Sequence, residues 1–459
     1  MGSSIAIQDK FRRNVVYRLR IRLEHEANTM GRLLMAIDRA GARTGDVGMA
    51  ETHDAHLVYD ILVFAESDEQ MSAVRSVVES IEGVEVLSLA DMAMETHRGG
   101  ACEMRARTPI RSNTDLRIVY TPGVARVCKA IEADASLALE YTNLANKVAI
   151  ATNGTAILGL GDIGCVPGLP VMEGKSAIFW EFAGISAEPV LIDTHDPDEF
   201  IDVMMKLACG FGAIQIEDVK APECFKITRE LDERLAIPVF HDDQHGTATI
   251  VLAALYSALR QTGKRIEDIS CAISGAGAAG TAVTDLLMGA GVGDVVLVDR
   301  AGILYRGREE NMNPEKAALA RRTNKDNITG GLAEAMKGRE LFIGVSRPDI
   351  VTKEMVRAMA PGPICFPLAN PVSEISVPDA CDAGAAVAAD GRMINNALAY
   401  PGIFRGALDA RAESISTEMM MAAAHALAAA VPEGELMPEM MDPATHKAVA
   451  YAVANAAKG

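Results

Sequence analysis

Residues 271–299 read CAISGAGAAGTAVTDLLMGAGVGDVVLVD. A strand-like apolar run leads into the pattern GAGAAG, an apolar helix-like run follows, and a second strand-like run ends in Asp299. Glycines at positions Gly275, Gly277 and Gly280 allow a tight turn and let a pyrophosphate approach the amides of a helix N-terminus. The stretch therefore predicts a Rossmann-type dinucleotide-binding unit, in which Asp299 accepts a hydrogen bond from a ribose hydroxyl.

The residue after this acid leaves the choice of cofactor open between NAD and NADP. The guanidinium of Arg300 is able to hold the 2′-phosphate of NADP, whereas Asp299 suits the free ribose hydroxyl of NAD. Around the glycine pattern, strand-like and helix-like stretches alternate over residues 247–400. This alternation predicts an α/β fold with a doubly wound, mostly parallel sheet.

The rest of the chain predicts further domains, because 459 residues exceed one ordinary core. Residues 14–90 follow the order βαββαβ, which is typical of a ferredoxin-like domain. Residues 105–246 mix helices with short apolar strands, read at AILGLG, PVLID, AIQIED and IPVF, and predict an α/β substrate and metal domain. Residues 401–459 are rich in Ala and Met and predict a helical segment packed on the core.

The charge balance restricts the partners. Asp and Glu total 62 against 44 Lys and Arg, giving a net charge of −18, which disfavours nucleic acid and anionic membrane surfaces. A small dianionic substrate would need local cations or a metal ion to overcome the same field. The eight cysteines are scattered without a CxxC pair, and the sequence has neither a secretion signal nor a long apolar span. We therefore expect a cytoplasmic protein without nucleic-acid or membrane partners.

Two pairs of acids follow predicted strands. Glu217 and Asp218 end the apolar stretch AIQIEDV, and Asp242 and Asp243 follow IPVF in the motif HDDQ. Acids at the carboxyl ends of strands point into the crevice where α/β enzymes bind ligands. Oxygen donors without clustered cysteines suit Mg²⁺ or Mn²⁺, so the two pairs together predict a site for one of these ions.

The motif HDDQH also allows a zinc hydrolase as an alternative. A zinc protease needs two histidines on one face of a regular helix and a Glu that reaches the metal-bound water. Here IPVF precedes His241 and Gly246 follows His245, which favours a loop that turns into a helix at Gly-Thr. The histidines are interpreted as hydrogen-bonding scaffold, and the hydrolase is the weakest of the functional hypotheses.

Two further residues carry functional chemistry. Tyr120 precedes a Thr-Pro-Gly turn, and Lys175 follows a glycine at the start of an apolar, helix-like run. A lysine that enters a buried helix is costly unless it pairs with an acid or serves a function. Burial near a metal ion would lower the pKa of Lys175 and make it a general base. An ordinary solvent-reaching lysine and a turn tyrosine are the structural alternatives.

A series of motifs, in chain order, resembles bacterial malic enzymes from about residue 105 to the C-terminal region. The motifs are YTPGVARVCKAI (120–131), LGLGDIG (158–164), PVMEGK (170–175), FHDDQHGTA (240–248), GAGAAG (275–280), FIGVS (342–346), LANP (368–371) and NNALAYPGIFRGAL (395–408). In the N-terminal region, the pattern NxxGxLxxI at 28–37 resembles ACT domains. This resemblance implies either a small effector bound at that domain or a dimerisation module, and a homodimer or larger assembly.

The resemblance also implies an activity and a set of site residues. Malic enzymes oxidise malate with NAD or NADP and then release CO₂, while Mg²⁺ or Mn²⁺ on the C2 oxygen accepts electron density. The matching positions are the base Lys175, the acid Tyr120 and the supporting Asp242; the metal ligands Glu217, Asp218 and Asp243; the cofactor contacts Thr247, Ser346 and Asn370; and the substrate contacts Asn395 and Asn396.

Departures from the family pattern keep the substrate open. Only Met393 stands between Arg392 and Ile394, where relatives carry about five more residues, and GVSRPDI places Arg347 and Asp349 beside the cofactor crevice. Besides oxidative decarboxylation of malate, three hypotheses remain: action on a substituted malate, non-oxidative conversion of malate to lactate with retained NAD, and a degenerate homologue whose ACT-like module senses an effector.

Overall fold

A computed structural model describes residues 15–24, 29–52, 56–157 and 159–458. The predictions that concern the N-terminal stretch 1–14, Asn28 of the ACT-like pattern and Leu158 of LGLGDIG lie outside the described residues. The chain divides into two compact units, Met1–Glu103 and Met104–Gly459. In the described parts of both units, no helix is long and apolar enough to cross a membrane.

The first unit is a four-stranded antiparallel sheet with two helices on one face. Its elements are β1 Val15–Glu24, α1 Thr29–Arg39, β2 Arg43–Thr52, β3 His56–Ala65, α2 Asp68–Glu79, β4 Val84–Asp91 and α3 Met92–Thr96. The strand order is β2-β3-β1-β4, with every neighbouring pair antiparallel. Along β1 the alternate residues Leu19, Ile21 and Leu23 are buried and pack with the apolar faces of α1 and α2. This is the predicted βαββαβ, ferredoxin-like topology, and the relation to ACT domains stays a prediction.

The second unit begins with short helices that lead into a parallel four-stranded sheet. The elements are α4 Asn113–Val119, α5 Val124–Ala133, α6 Ala138–Tyr141, β5 Lys147–Thr152, α7 Cys165–Ala183, β6 Ser186–Leu191, α8 Pro197–Leu207, β7 Ala213–Ile216, α9 Glu223–Arg234 and β8 Val239–His241. The strand order is β6-β5-β7-β8. The prediction of a strand at AILGLG is wrong for its described residues, because 156, 157 and 159–161 belong to no named strand. The strand of this region is β5, which was not predicted from the sequence.

The glycine pattern lies in a second sheet, which is doubly wound as predicted. Its elements are α10 Thr247–Thr262, β9 Ser270–Ser274, α11 Ala278–Gly289, β10 Asp294–Asp299, β11 Gly302–Ile303, α12 Pro314–Arg322, α13 Leu332–Met336, β12 Leu341–Gly344, α14 Lys353–Arg357, β13 Ile364–Pro367, α15 Val377–Asp382 and β14 Val387–Ala388. The strand order is β11-β10-β9-β12-β13-β14, parallel except for β11. The chain leaves β9 toward β10 first and returns to β12 on the other side, so a crevice opens at the carboxyl end of β9.

One hydrophobic cluster joins the two sheets of the second unit. The C-terminal helices α16 Tyr400–Ala410, α17 Thr417–Ala429 and α18 Pro443–Ala456 pack into it, and α10 is buried along most of its length. The cluster therefore runs across the boundaries predicted at 246/247 and 400/401. Those boundaries stay predictions, and the shared core fixes the two sheets relative to each other.

Candidate active site

The two predicted acid pairs meet at one edge of the first parallel sheet. Glu217 and Asp218 directly follow β7, and Asp242 and Asp243 directly follow the neighbouring strand β8. Carboxyl ends of parallel strands lie on the same edge, so the two turns face each other. Carboxylate oxygens of Glu217, Asp218 and Asp243 all lie within 4.8 Å of one another. The structure thus brings together the three predicted metal ligands.

Local contacts hold these turns in place. The backbone N–H of Asp218 donates to Oδ2 of Asp243 at 3.2 Å, and Asp218 itself adopts a left-handed φ of 51°. The residues 242–246 form one wide helical turn that continues directly into α10. A Cβ at Gly246 would lie 1.9 Å from Oδ1 of Asp242, so only glycine allows this carboxylate to fold back against the turn.

The cluster has the properties of a site for a hard divalent cation. Burial raises the pKa of Glu217 well above its ordinary value, with further increases from Asp242, Asp243 and Asp218, although Lys175 lowers it. Buried carboxylates without matching positive charge are costly unless a cation binds them, and oxygen donors suit Mg²⁺ or Mn²⁺. The residues therefore fit the ion that the sequence predicts.

Lys175 lies at the inner side of this cluster. It sits inside the long helix α7, which begins ten residues earlier than the apolar run suggested, and its side chain is only 14% exposed. Its Nζ donates to Asp242, lies 3.0 Å from Oε1 of Glu217, and faces the ring of Tyr400 at 4.7 Å. The lysine is therefore paired with acids and is not the solvent-reaching alternative.

The predicted lowering of the Lys175 pKa by burial near a metal ion stays a prediction. Burial lowers the pKa, but the negative charges of Asp242 and Glu217 outweigh burial and raise the pKa well above its usual value. Asp242 is fully buried and also accepts from Nδ2 of Asn396 at 2.7 Å. The supporting role predicted for Asp242 thus has a geometric basis.

Asn395 differs from its neighbour. Its Oδ1 accepts the backbone N–H of Ala397 at 2.9 Å and so caps a short 3₁₀ turn. The structure therefore uses the side-chain oxygen of Asn395 locally, whereas Asn396 points to the lysine–carboxylate cluster. The prediction that Asn395 contacts substrate gains no support from these contacts.

The histidines of HDDQH are not members of the cation cluster, although Nδ1 of His241 lies 3.8 Å from Oδ2 of Asp243. The acids of that cluster were the only group of three or more His, Cys, Asp or Glu ligands found among the described residues. Burial lowers the pKa of His241 to about 3 and that of His245 to about 4, so both rings are neutral at neutral pH. This arrangement disfavours the zinc hydrolase. The predicted hydrogen-bonding role has support at His245, whose Nδ1 accepts the backbone N–H of His241 at 3.4 Å, but both ring nitrogens of His241 are buried without a hydrogen-bond partner among the described residues.

Tyr120 is not brought to this cluster within one chain. It follows α4, its side chain is 66% exposed, and no hydrogen bond between described residues joins it to Lys175 or to the acids. The helices around it are equally unpacked: no described residue of α4, α5 or α6 is buried. Leu116, Ile118 and Val119 of this segment expose 44, 67 and 42% of their side chains.

The cofactor crevice is a cavity of about 770 Å³ at the carboxyl end of β9. Its lining includes five of the predicted cofactor residues: Gly275, Gly277, Asp299, Arg300 and Ser346. Gly280 does not line the cavity. A Cβ there would lie 1.8 Å from the carbonyl oxygen of Gly275, so this glycine permits the close packing of α11 on the turn. The turn and the helix N-terminus form the cradle that a pyrophosphate needs.

The crevice adjoins the metal cluster. Ala221, Pro222 and Phe225, which follow the acids Glu217 and Asp218 along the chain, form one wall of the cavity. Thr247 begins α10 immediately after the HDDQHG turn. A dinucleotide in the crevice and a substrate on the cation would therefore be neighbours.

Asp299 is engaged by other residues of the protein. Its two oxygens accept from Arg308 at 2.6 and 2.7 Å, from Lys316 at 2.7 Å, from Asn311 at 2.8 Å and from the backbone of Ala301 at 2.9 Å. A carboxylate offers about four lone-pair positions, so these five bonds saturate it. The predicted acceptance of a ribose hydroxyl therefore requires Asp299 to give up one of these donors. Arg308 and Lys316 were not predicted as partners of Asp299, because they lie outside β10 and no motif links them to it.

The remaining predicted contacts lie on the other side of the crevice. The hydroxyl of Ser346 lies 2.8 Å from that of Ser274 at the end of β9. Asn370 lies beside the shortened loop, since a Cβ at Gly391 would be 3.0 Å from its Nδ2. The loop itself is one tight turn, in which Arg392 pairs with Asp390. The chain therefore lacks, next to Asn370, the longer loop that the family pattern has at this position.

The fold and the site define an oxidoreductase in which a dinucleotide crevice adjoins a carboxylate site for a divalent cation. Comparison with known proteins gives the family. The profile for the malic enzyme N-terminal domain matches residues 100–232, and the profile for the malic enzyme NAD-binding domain matches residues 244–394 and 387–458. The chain belongs to the malic enzyme family and is a decarboxylating oxidoreductase that uses NAD or NADP.

Named relatives cover most of the chain. The NAD-dependent malic enzyme of Geobacillus stearothermophilus is 43% identical over 91% of this chain and 88% of its own length. The bifunctional malic/malolactic enzyme of Bacillus subtilis is 45% identical over 81% of this chain and 92% of its own length. The crystal structure of malic enzyme from Pyrococcus horikoshii superposes with a TM-score of 0.76 at 42% identity, covering 78% of this chain and 87% of that one.

Proposed function

We propose that this site oxidises malate at C2 and then decarboxylates the product, with Lys175 as the base. The observation that carries the proposal is the position of Lys175, whose Nζ pairs with Asp242 and Glu217 at the edge of the cation cluster. Oxidation moves a hydride from C2 to the nicotinamide and the hydroxyl proton to Lys175. Loss of CO₂ then leaves enolpyruvate, which is protonated at C3 to give pyruvate.

The carboxylates of Glu217, Asp218 and Asp243 would hold the cation. A bound Mg²⁺ or Mn²⁺ polarises the C2 oxygen and accepts electron density during decarboxylation. A cation at these carboxylates would also offset the negative field that raises the pKa of Lys175 and would bring the lysine closer to the range of a general base. Asp242 and Asn396 position the ammonium group through the contacts described above.

We propose that Tyr120 is the acid that protonates C3 and that it acts in the site of a second copy of the chain. The exposed apolar residues Leu116, Ile118 and Val119 of α4, together with the exposure of Tyr120 itself, support an interface between copies. A homodimer in which each segment covers the other copy's site would bury these side chains and deliver the phenol.

Mixed dimers test this arrangement. Lys175→Ala and Tyr120→Phe are each expected to be nearly inactive alone. If Tyr120 acts across the interface, a mixed dimer contains one site with both residues intact, and an equal mixture regains about a quarter of the wild-type rate after exchange of subunits. No regained activity in a mixture whose exchange is demonstrated by native mass spectrometry contradicts the proposal.

The reaction itself is tested with the purified chain, malate, Mn²⁺ and either NAD⁺ or NADP⁺. Reduced cofactor, CO₂ and pyruvate in equal amounts are the expected products. CO₂ and lactate without net reduced cofactor would select the non-oxidative alternative, which the bifunctional Bacillus subtilis relative keeps under consideration. Turnover only with malates substituted at C3 would show that the shortened loop at 392–394 has changed the substrate. No turnover with any of these acids contradicts the proposal.

We also propose that the first unit is an ACT-like module that either binds a small effector or serves dimerisation. Its βαββαβ topology supports this assignment. Titration of the full chain with small metabolites such as amino acids, followed by malate turnover and by thermal unfolding, tests the effector role. If no compound changes either quantity, the dimerisation role remains as the proposal.

A further inference from the structure

Glu374 is a buried carboxylate that the proposed mechanism does not use. It lies in the loop after β13 and is 0% exposed. One oxygen accepts the backbone N–H of Ser346 at 2.9 Å and its hydroxyl at 3.4 Å, and the other accepts the backbone N–H of Ala369 at 3.1 Å. An environment that consists of donors is that of an ionised carboxylate.

This negative charge has no counter-ion in the described part of the chain, where no Lys, Arg or His forms an ion pair with Glu374. Burial raises the pKa of Glu374, and the amide donors at Ser346 and Ala369 oppose that rise. The fold also makes room for the group: a Cβ at Gly344 would lie 2.3–2.6 Å from its carboxylate atoms. A buried, uncompensated charge is costly, so a positively charged ligand nearby would stabilise it.

The order of the strands places Glu374 on the nicotinamide side of the crevice. The glycine turn after β9 receives the pyrophosphate, and Asp299 at the end of β10 lies on the adenosine side. The other half of the dinucleotide must then extend over the carboxyl ends of β12 and β13. Ser346 follows β12 and Asn370 follows β13, and Glu374 binds the backbone at or next to both.

We propose that Glu374 is a positioning residue of the cofactor site that fixes the Ser346 and Asn370 segments and whose charge favours the oxidised, positively charged nicotinamide over the reduced form. The inference rests on the proposed function, because it assumes that the crevice holds NAD(P). The two redox states share the same pyrophosphate and ribose contacts. Their affinity ratio therefore isolates the effect of a charge near the ring.

Calorimetric titration of the full chain with the oxidised and the reduced cofactor tests the charge. Glu374→Gln keeps one acceptor oxygen but removes the charge, and the ratio of the Kd of the reduced form to that of the oxidised form is expected to fall about ten-fold. Glu340→Gln is the matched control. Glu340 also accepts a backbone N–H and a hydroxyl, both from Ser270 at 2.8 and 2.6 Å, but it lies at the amino end of the same sheet.

A second variant tests the same proposal if Glu374→Gln does not fold. Glu374→Asp retains the charge on a shorter side chain, so both affinities weaken while their ratio stays within about two-fold of wild type. Equal weakening of both cofactor forms in Glu374→Gln, or a ten-fold change of the ratio in Glu374→Asp, overturns the proposal. A wild-type chain that binds neither form and does not turn over malate would instead refute the proposed function.

Discussion

Two buried carboxylate clusters of the second unit have opposite charge balances. At the metal cluster, Glu217 pairs with the ammonium of Lys175, as does Asp242, and the carboxylates of Asp218 and Asp243 lie next to that of Glu217. At the cofactor crevice, the one carboxylate of Asp299 is paired with two cations, from Arg308 and Lys316, and accepts five hydrogen bonds. The metal cluster therefore has an excess of negative charge, whereas the charge of Asp299 is already neutralised by its two cations.

This difference in charge balance distinguishes the metal cluster, a ligand site, from the Asp299 cluster, which is structural. Carboxylates in excess raise one another's pKa values, and a dication is the simplest group that removes this cost. At Asp299 burial raises the pKa, but the hydrogen bonds from Lys316 and Arg308 outweigh burial and hold the pKa below its usual range. Proximity of acids in a sequence does not distinguish these cases, because the cations that complete the second cluster come from other elements.

The largest expected effect is the loss of kcat when Lys175, which pairs with acids of the metal cluster, is replaced. Lys175→Ala removes the base, and general-base contributions are typically about 10²–10⁴-fold, so kcat is expected to fall by about 10³. Steady-state malate oxidation measures it, with Lys226→Ala as control because that lysine pairs with Asp198 at the surface. A near-normal rate in Lys175→Ala would remove it as the base.

The next largest effect is expected on protein stability, at the cluster of Asp299 with Arg308 and Lys316. Asp299→Asn leaves Arg308 and Lys316 buried without their anion, and breaking a buried ion pair costs about 3 kcal/mol. The loss is expected in the free energy of unfolding without cofactor, measured with denaturant. If the free energy of unfolding is unchanged and only the cofactor affinity falls, Asp299 is a ribose ligand. The interpretation of its cluster as structural would then be wrong.

A smaller effect concerns one metal ligand. Asp243→Asn keeps the shape but removes a charge, and the affinity for Mn²⁺ is expected to fall at least about ten-fold, or about 1.4 kcal/mol. Saturating Mn²⁺ raises the unfolding temperature of the wild type by mass action and should do so less in the variant. Asp202→Asn, on the exposed side of α8, is the control. An unchanged metal dependence contradicts the assignment of Asp243.

The last effect appears only at acid pH and concerns His241, a buried residue whose Nδ1 lies 3.8 Å from Oδ2 of Asp243. Burial holds its pKa at about 3, against 6.5 in the unfolded chain, so the folded protein excludes a proton that the unfolded chain binds. Its contribution to stability is complete above about pH 6.5 and is lost as the pH falls toward 3. His241→Gln should reduce the slope of unfolding free energy between pH 6 and 4 by about 1.4 kcal/mol per pH unit.

The sequence by itself determined the features that depend on local pattern. Alternation along β1 and the helical spacing in α1 and α2 predicted the first unit, and the run CAISGAG to VLVD predicted the Rossmann-type turn. Both patterns are short-range: they arise from which face of an element is buried and from the backbone freedom of glycine. Acids placed directly after strands also predicted the cation site, because strand ends meet at one edge of a parallel sheet.

Only the tertiary structure decided how charges from distant elements balance. Arg308 and Lys316 saturate Asp299 with hydrogen bonds. Asp242 and Glu217 raise the pKa of Lys175 against the effect of burial. Glu374 joins the ends of two strands without any motif of its own. The tertiary structure also left Tyr120 exposed and away from the site that its motif predicts. Electrostatic energy depends on distance and burial, and neither is fixed until the chain has packed.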